Sequence, residues 1–189
     1  GIDSSVSSTL CAMTGLKTIV LSMPIKQKEN QHDLSLKHQK WLVKKFKNVE
    51  AHTINLDKLF DSFKLSLSGF DNEHGMANSR ARLRMTTLYQ VAAANKGIVV
   101  GTGNKVEDFG VGFYTKYGDG GVDISPIADC NKTDVWELGK ELGILKEIID
   151  APPTDGLWDD GRTDEGQLGF KYEDLEDAMK NPKSPHRKE

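Results

Sequence analysis

The sequence predicts an α/β fold in which a mostly parallel, doubly wound sheet carries helices on both faces. Two observations lead to this expectation. Short apolar segments alternate with longer segments of helical periodicity along the 189 residues, and the short segments are apolar throughout rather than alternating in polarity. Uniformly apolar strands are buried on both faces, which is typical of parallel sheets covered by helices. Ligands of such sheets bind beyond the carboxyl ends of the strands.

The first half of the chain contains two predicted helix–strand pairs and one further helix. In order, the elements are a turn and helix from residue 1 to Gly15, a strand over residues 17–23, a polar loop over 25–31, a helix over 33–46, a strand over 49–54, and a helix through Leu56, Leu59, Phe60 and Phe63. A turn that leads into a helix normally follows a strand. We therefore expect a further strand upstream of residue 1 in the natural protein.

The second half repeats the alternation. A polar stretch over residues 71–75 is expected to separate the halves, and the elements that follow are a helix over 78–96 ended by Gly97, a buried strand over 98–100, a glycine-rich loop over 110–121, a helix over 132–142, and a last helix over 164–179 broken by glycines.

Composition excludes several classes of protein. The chain has 25 basic and 28 acidic residues, so a whole-protein field that attracts nucleic acid is not expected. Its two cysteines, Cys11 and Cys130, form no CxxC pair and have no histidine cluster nearby, which argues against zinc, iron–sulfur and disulfide scaffolds and fits a reducing cytoplasm. No apolar run is long enough to cross a bilayer.

Two segments predict a phosphate and metal site. The opening GIDSS places backbone N–H groups at a helix start, which favours phosphate binding, and Asp3 beside them is a carboxylate of the kind that holds Mg²⁺. The second segment, GTGNKVED, follows the buried strand 98–100, and its Glu107 supplies a second carboxylate at a strand end. We expect Asp3 and Glu107 to converge on one divalent ion.

Further segments indicate binding loops. Residues 113–123 are dense in glycine and charge without periodicity, which is typical of a binding loop. Lys132, just ahead of a helix, is a candidate phosphate contact. Paired prolines, glycines and a tryptophan over residues 152–158, followed by the acidic stretch 160–165, predict an ordered lid.

Three arginines stand at every second position of one predicted helix, in NSRARLRM. At this spacing their side chains point to different sides of the helix, so they cannot all serve one site. Arg82 is expected to face a carboxylate or phosphate, and Arg80 or Arg84 to lie in solvent or at a subunit contact.

Several segments of the chain, taken in order, resemble the ammonia-dependent NAD synthetases of the N-type ATP pyrophosphatase family. These segments are GIDS, NSRARLRM, GTGNKVED, FYTKYGDGGVDISPI, NKTDVWELGKELG, PTDGLWDDGRTDE and LGFKYEDLE. YGDGG followed by PTDGLW is the most specific part. The resemblance implies an adenine nucleotide alpha hydrolase-like fold and one synthetase domain over residues 1–189, truncated at both ends. The beginning of the phosphate loop, SGGxDS in the family, and a C-terminal substrate segment are missing.

The resemblance also implies the last step of NAD biosynthesis. The carboxylate of deamido-NAD attacks the α-phosphate of ATP to give an adenylate and pyrophosphate, and ammonia then displaces AMP. It implies a cytoplasmic homodimer without a nucleic-acid or membrane partner. Whether the nitrogen comes from free ammonia or from glutamine stays open.

Site residues follow from motif matches to the family, and no general base is among them. The matched ATP-binding positions are Gly1, Ile2, Asp3, Ser4, Thr102, Lys132 and Thr154. The matched deamido-NAD-binding positions are Arg82, Lys116 and Asp123, and the matched Mg²⁺ ligands are Asp3 and Glu107.

Two alternatives remain at this level. Another ATP pyrophosphatase-type enzyme, such as GMP synthetase or a tRNA-modifying thiolase or lysidine synthetase, shares the phosphate loop, although not YGDGG with PTDGLW. A catalytically silent nucleotide-binding module would keep the glycine turns and lose the carboxylate pair, which this chain retains.

Overall fold

The computed structural model describes residues 1–27, 29–154 and 163–188. The described elements are α1 (Ile2–Met13), β1 (Thr18–Ser22), α2 (Glu29–Lys45), β2 (Val49–Thr53), α3 (Asp57–Ser66), α4 (Glu73–Ala94), a π-helical turn (Val106–Val111), α5 (Lys132–Glu141), α6 (Lys146–Ile149), α7 (Asp164–Leu168), α8 (Tyr172–Lys180) and a 3₁₀ turn (Pro185–Lys188). Within this described part, no helix is both long and apolar enough to span a membrane.

The central pair of strands is parallel, as the apolar pattern predicts. β1 and β2 pair in register from Thr18 opposite Val49 to Ser22 opposite Thr53, and α1 and α2 pack against this sheet. A parallel pair needs a crossover connection, which α2 provides here. The arrangement confirms the predicted α/β class.

The third expected strand, residues 98–100, forms a single parallel bridge between Val100 and Ile124 and no regular strand. The reason lies in Asp123. Its Oδ2 accepts a hydrogen bond from the Val99 N–H at 2.7 Å, and its own N–H donates to the Val99 carbonyl at 3.1 Å. Because a side chain takes a backbone donor that a strand ladder would use, the ladder does not extend through Val99.

Two helices begin earlier than the sequence predicts. α2 begins at Glu29, inside the expected polar loop 25–31, and Ile25 of that loop is buried against α3. α4 begins at Glu73, because the Asn72 side chain accepts a hydrogen bond from the Gly75 N–H at 2.7 Å and caps the helix. The polar stretch 71–75 is therefore the first turn of α4 and does not separate two halves.

The largest hydrophobic cluster joins α1 to α5. Ile2 and Val6 of α1 pack with Val135 of α5 and with the buried residues Ile127, Ile144 and Ile148. The helices approach closely at Gly139, where a Cβ atom would lie 2.6 Å from the Ile2 Cδ1 atom. This packing places the start of α1 beside the start of α5.

The C-terminal part also follows the sequence prediction. The expected glycine-broken helix over 164–179 appears as α7 and α8, separated at Gly169, whose φ of +77° favours glycine. α8 packs against both α5 and the π-helical turn. Three segments far apart in sequence therefore meet at one place.

Candidate active site

The ammonium group of Lys132 lies between two carboxylates. Its Nζ donates to Asp3 Oδ2 at 2.7 Å and to Glu107 Oε1 at 2.8 Å, and the Lys132 side chain is 1% exposed. Asp3 and Glu107 therefore lie together, but around a lysine ammonium, and the divalent ion expected between them stays a prediction. Lys132, interpreted from the sequence as a loop lysine near phosphate, is the buried centre of the cluster.

Each member of this cluster comes from a different element. Asp3 is in the first turn of α1, Glu107 is in the π-helical turn, and Lys132 is the first residue of α5. The start of α5 is held by Asp134, whose Oδ2 accepts from the backbone N–H of Asn131 at 2.8 Å and from its side-chain Nδ2 at 2.9 Å.

Asn104 connects the GTGN turn to the opening helix. Its Nδ2 donates to Asp3 Oδ1 at 3.0 Å, and its Oδ1 accepts from the backbone N–H groups of Val106 and Glu107 at 3.1 and 3.0 Å. Asn104 is fully buried. One amide therefore orients the Asp3 carboxylate and shapes the turn that presents Glu107.

Tyr172 closes the cluster from the side of α8. Its hydroxyl donates to Glu107 Oε1 at 2.7 Å, and its ring centroid lies 5.0 Å from the Lys132 Nζ. Burial, followed by the charge of Glu107, raises the pKa of the Tyr172 phenol well above its ordinary value. The hydroxyl therefore keeps its proton and acts as a donor.

The electrostatic balance of the cluster favours an additional cation. Burial opposes the charge of Lys132, but Asp3 and Glu107 outweigh it and raise the pKa of the ammonium. Asp108 lies next to Glu107, and burial together with the charges of Glu107, Asp119 and Asp3 raises the pKa of its carboxyl to about 6. Several carboxylates share one lysine, so negative charge is in excess.

The donor set suits Mg²⁺. No group of three or more His, Cys, Asp or Glu residues in the described ranges forms a protein-only metal cage. Mg²⁺ does not need one, since it is usually held by one or two carboxylates and completes its shell with water and phosphate oxygens. Asp3 and Glu107 are such a pair. Among the described residues, both hydrogen bonds to the Glu107 carboxylate fall on Oε1, which leaves Oε2 able to accept a ligand.

Of the other predicted ATP contacts, Gly1, Ile2 and Ser4 stand at the start of α1 and Thr102 stands in the loop after residue 100. Ser4 is exposed, and its Oγ donates to the Gly1 carbonyl at 3.1 Å. The Ile2 side chain is buried in the α1–α5 core, so only its backbone is available to a nucleotide. Thr102 and Thr154 are both half-buried. The structure brings Asp3 and Lys132 into contact.

The residues expected to bind deamido-NAD stand next to an open groove beside α4 and are not among the residues that line it. Arg82 Nε donates to the Lys116 carbonyl at 3.0 Å, which joins α4 to the glycine-rich loop. Asp123 Oδ1 accepts from the Tyr89 hydroxyl at 3.0 Å. The groove has a volume of about 500 Å³ and is lined by Met85, Thr86, Tyr89, Gln90, Tyr117 and Gly121.

Arg84 does not lie in solvent, contrary to the expectation from the sequence that Arg80 or Arg84 would. Arg84 is half-buried, with Nε donating to the Met23 carbonyl at 2.9 Å and Nη2 donating to Gln27 Oε1 at 3.0 Å. Burial and the charge of Arg80 lower the pKa of Arg84 to about 10. The Arg80 guanidinium lies 5.0 Å from the Phe60 ring centroid. Both arginines hold α4 against neighbouring segments.

Two members of the cluster were not singled out from the sequence. Asn104 stands directly after the GTG turn, and Tyr172 stands within LGFKYEDLE, a segment matched to the family without an assigned residue. An amide beside a glycine turn and a tyrosine in a charged helix are weak signals alone. Of the predicted lid, residues 155–162 lie outside the described residues.

The fold and the cluster define an α/β nucleotide-binding protein, with a helix start, glycine turns and a carboxylate pair brought to one place. The chain belongs to the NAD synthase family, whose model matches residues 1–189. A member of that family is an ATP-dependent amide-forming ligase. Membership decides in favour of the NAD synthetases over GMP synthetase and the tRNA-modifying enzymes.

Individual relatives agree with this assignment. The NH(3)-dependent NAD(+) synthetase of Carboxydothermus hydrogenoformans is 37% identical over 182 residues, covering 93% of this chain and 72% of the relative. The corresponding enzyme of Thermoplasma volcanium is 36% identical over 183 residues, covering 95% of this chain and 72% of the relative.

Solved structures extend the comparison. The structure of NMN synthetase from Francisella tularensis matches with a TM-score of 0.88 and 37% identity, covering 95% of this chain and 73% of that one. The NH3-dependent NAD synthetase of Campylobacter jejuni, in complex with the nitrate ion, matches with a TM-score of 0.73 and 28% identity, covering 100% of this chain and 75% of that one.

Proposed function

We propose that this chain is an ammonia-dependent NAD synthetase, which uses ATP to convert the carboxylate of deamido-NAD to the amide of NAD. The observation that carries the proposal is the buried contact of Asp3, Glu107 and Lys132 beside the start of α1, in a chain that the NAD synthase family model matches throughout. ATP, deamido-NAD and ammonia are the substrates.

The reaction has two steps. A carboxylate oxygen of deamido-NAD attacks the α-phosphorus of ATP, the bond to pyrophosphate breaks, and an acyl adenylate forms. The nitrogen of ammonia then attacks the acyl carbon, the bond to AMP breaks, and the nitrogen loses a proton as the amide forms. Adenylation is needed because an ionised carboxylate is a poor acyl donor.

Positioning and charge supply the catalysis. The α-phosphate is negative and so is the attacking carboxylate, so the site must offset repulsion while holding the two in line. The N–H groups of Gly1–Ser4, at the positive end of α1, would accept phosphate oxygens. Among the described residues, Asp3 and Glu107 accept two of the three N–H groups of the Lys132 ammonium, and the third would donate to a phosphate.

The cofactor proposed for this site is Mg²⁺, held by Asp3 and Glu107. When bound, it supplies Lewis-acid stabilisation of charge on the polyphosphate. The chain's contribution is orientation of its two carboxylates, which Asn104 and Tyr172 hold by hydrogen bonds of 3.0 and 2.7 Å.

The pyridine nucleotide is proposed to occupy the groove beside α4. Arg82 and Lys116 would contribute positive charge, and Asp123 and Tyr89 hydrogen-bonding groups. The groove is open, and Tyr117 on its wall is 71% exposed. An open groove with exposed aromatic side chains suits a site completed by a second subunit, so we propose a homodimer in the cytoplasm, as the family resemblance implies.

One observation favours a second candidate substrate. The match to NMN synthetase has a TM-score of 0.88, against 0.73 for the ammonia-dependent NAD synthetase structure. Amidation of nicotinic acid mononucleotide to NMN uses the same two steps on a smaller substrate. The two candidates share the adenylation site and differ in whether the groove must hold one nucleotide or two.

The test is incubation of the full-length protein with ATP and Mg²⁺, with either deamido-NAD or nicotinic acid mononucleotide, and with either ammonium or glutamine. We expect AMP and NAD to form in equal amounts from deamido-NAD and ammonium. A higher kcat/KM for the mononucleotide would assign the second candidate. Absence of AMP and amide with both acids would refute the proposal.

Variants assign the roles within this reaction. Asp3→Asn and Glu107→Gln are each expected to abolish Mg²⁺-dependent amide formation with the fold intact, whereas Glu147→Gln, which breaks an exposed ion pair with Lys37, should leave turnover unchanged. Near-normal turnover in either of the first two would contradict the metal assignment. Lys116→Ala should raise the KM for deamido-NAD. A change confined to the KM for ATP would remove Lys116 from the substrate groove.

A further inference from the structure

One face of α8 is directed at the proposed active site. Tyr172 and Glu176 stand one helical turn apart on this face, and both are buried. Glu176 Oε1 accepts from the Thr133 N–H at 3.0 Å, and Oε2 accepts from the Thr133 Oγ1 at 2.7 Å. Because Thr133 follows Lys132, Glu176 holds α8 against the start of α5.

Tyr172 contacts two members of the charged cluster, Glu107 and Lys132. Its hydroxyl donates to Glu107 Oε1, the same oxygen that accepts from Lys132. Its ring lies 5.0 Å from the Lys132 Nζ and packs edge-to-face on Trp136, with the two ring centroids 5.9 Å apart. The phenol is therefore in contact with both the Glu107 carboxylate and the Lys132 ammonium.

The ring and the hydroxyl of Tyr172 make different contacts, and the hydroxyl also lies 3.4 Å from Asp164 Oδ2. A phenylalanine would keep the ring, its packing on Trp136 and its face toward Lys132. Only the hydroxyl reaches Glu107, at 2.7 Å, and a short bond to an anionic acceptor is among the stronger hydrogen bonds in proteins. A donor fixed to Oε1 limits rotation of the carboxylate and so fixes the position of Oε2.

We propose that Tyr172 is a positioning residue for amide formation, which orients the Glu107 carboxylate and holds the Lys132 ammonium beside it. This inference rests on the proposed function. Groups that hydrogen-bond to metal-binding side chains typically change metal affinity or activity by about 10- to 100-fold when they are removed. The Tyr172 hydroxyl stands in that relation to Glu107, and Asp3 has its equivalent in Asn104.

The test compares Tyr172→Phe with wild type in the full-length protein, using Mn²⁺ as a paramagnetic probe in the presence of a non-hydrolysable ATP analogue. Electron paramagnetic resonance of free Mn²⁺ gives the binding constant without turnover. We expect Mn²⁺ binding to weaken about 10- to 100-fold in Tyr172→Phe. We expect kcat to fall to a similar extent, with the KM for deamido-NAD unchanged.

Two further variants separate positioning from simple stability. Thr87→Val removes a hydroxyl that, among the described residues, bonds its own helix, at 2.9 Å to the Leu83 carbonyl, and this variant should bind Mn²⁺ as wild type does. Glu176→Gln loosens the junction of α8 with α5 and leaves the bond from Tyr172 to Glu107 in place. It should lower the melting temperature while changing Mn²⁺ binding less than Tyr172→Phe does.

The outcomes are distinct. Equal weakening in Tyr172→Phe and Glu176→Gln would assign Tyr172 a structural role only and overturn the proposal, as would unchanged Mn²⁺ binding and kcat in Tyr172→Phe. A wild-type protein that binds no Mn²⁺ would overturn it together with the metal site. If wild type binds Mn²⁺ but forms no amide, the proposed function fails while the comparison of Mn²⁺ affinities still decides the role of Tyr172.

Discussion

Replacement of Lys132 by methionine removes the one positive charge from the centre of the buried cluster. Methionine has nearly the length of lysine, so packing against Trp136 and Tyr172 is largely kept and the change is mainly electrostatic. Asp3 and Glu107 lose the ammonium that donates to them at 2.7 and 2.8 Å. Both carboxylates then remain close together in a site where they are about 17% and 16% exposed.

The expected magnitude follows from this burial. Removing one partner of a buried ion pair typically costs about 3–5 kcal/mol, because the charge left behind stays desolvated. A loss of this size corresponds to a melting temperature lower by roughly 6–20 °C for a chain of this length. If Lys132 faces the transferring phosphate as proposed, loss of its charge should also lower kcat/KM by about 10²- to 10³-fold.

Denaturant titration of wild type and Lys132→Met, with and without Mg²⁺, measures the effect. Mg²⁺ should stabilise the variant more than wild type, because the variant offers two uncompensated carboxylates to the ion. Lys146→Met is the matched control, since Lys146 is exposed and its ion pair with Asp150 lies on the surface. It should leave the free energy of unfolding nearly unchanged.

A Lys132→Met protein as stable as wild type, with no extra response to Mg²⁺, would refute this reasoning. It would mean that the two carboxylates do not depend on the ammonium for their burial. The approach of Asp3 and Glu107 to Lys132 would then be geometric coincidence and not an electrostatic device.

Three other predictions test positions outside the centre of the cluster. Gly103→Ala should destabilise by about 1–3 kcal/mol, because its Cβ would lie 2.0 Å from Asp108 Oδ2, and the added change Asp108→Ala should restore stability in denaturant titrations. Burial lowers the pKa of His38 from 6.5 to about 4. The unfolded chain therefore binds the proton more readily. The contribution of neutral His38 to the free energy of unfolding is complete above pH 6.5, and about 2 kcal/mol of it should be lost by pH 5. A His38→Gln variant whose stability falls with acid as steeply as that of wild type would contradict this. Tyr89→Phe removes a 3.0 Å hydrogen bond to Asp123 and should raise the KM for the pyridine nucleotide in steady-state assays, with the KM for ATP unaffected.

The regular elements nearest the start of the chain were predictable because local patterns specify them. The apolar run of residues 17–23, closed by Pro24, became β1, and the run 49–54 became β2. The strand expected at 98–100 was not predictable in this way. The Asp123 side chain, more than twenty residues away, takes the Val99 N–H, and no local pattern reports that competition.

The candidate site was likewise predictable only in part from the sequence. Asp3 and Glu107 were expected to meet because the carboxyl ends of parallel strands share one edge of a sheet. The position of Lys132 between them was not expected, since a lysine ahead of a helix is ordinarily exposed and its partner Asp3 lies 129 residues away. Arg84 was misplaced for a related reason, because its acceptors at Met23 and Gln27 belong to a distant loop.

Hydrophobic patterning, glycine and proline positions, and the ordered motifs were enough to establish an α/β chain of the NAD synthase family with a carboxylate pair, because each of these signals acts within a few residues. The burial of Lys132 and the support of Glu107 by Tyr172 depended on packing of α1, α5 and α8, and the capture of Val99 by Asp123 depended on a contact between residues 24 positions apart. Such contacts join residues whose separation along the chain carries no periodic signal, and only the folded arrangement brings their charges within hydrogen-bonding distance.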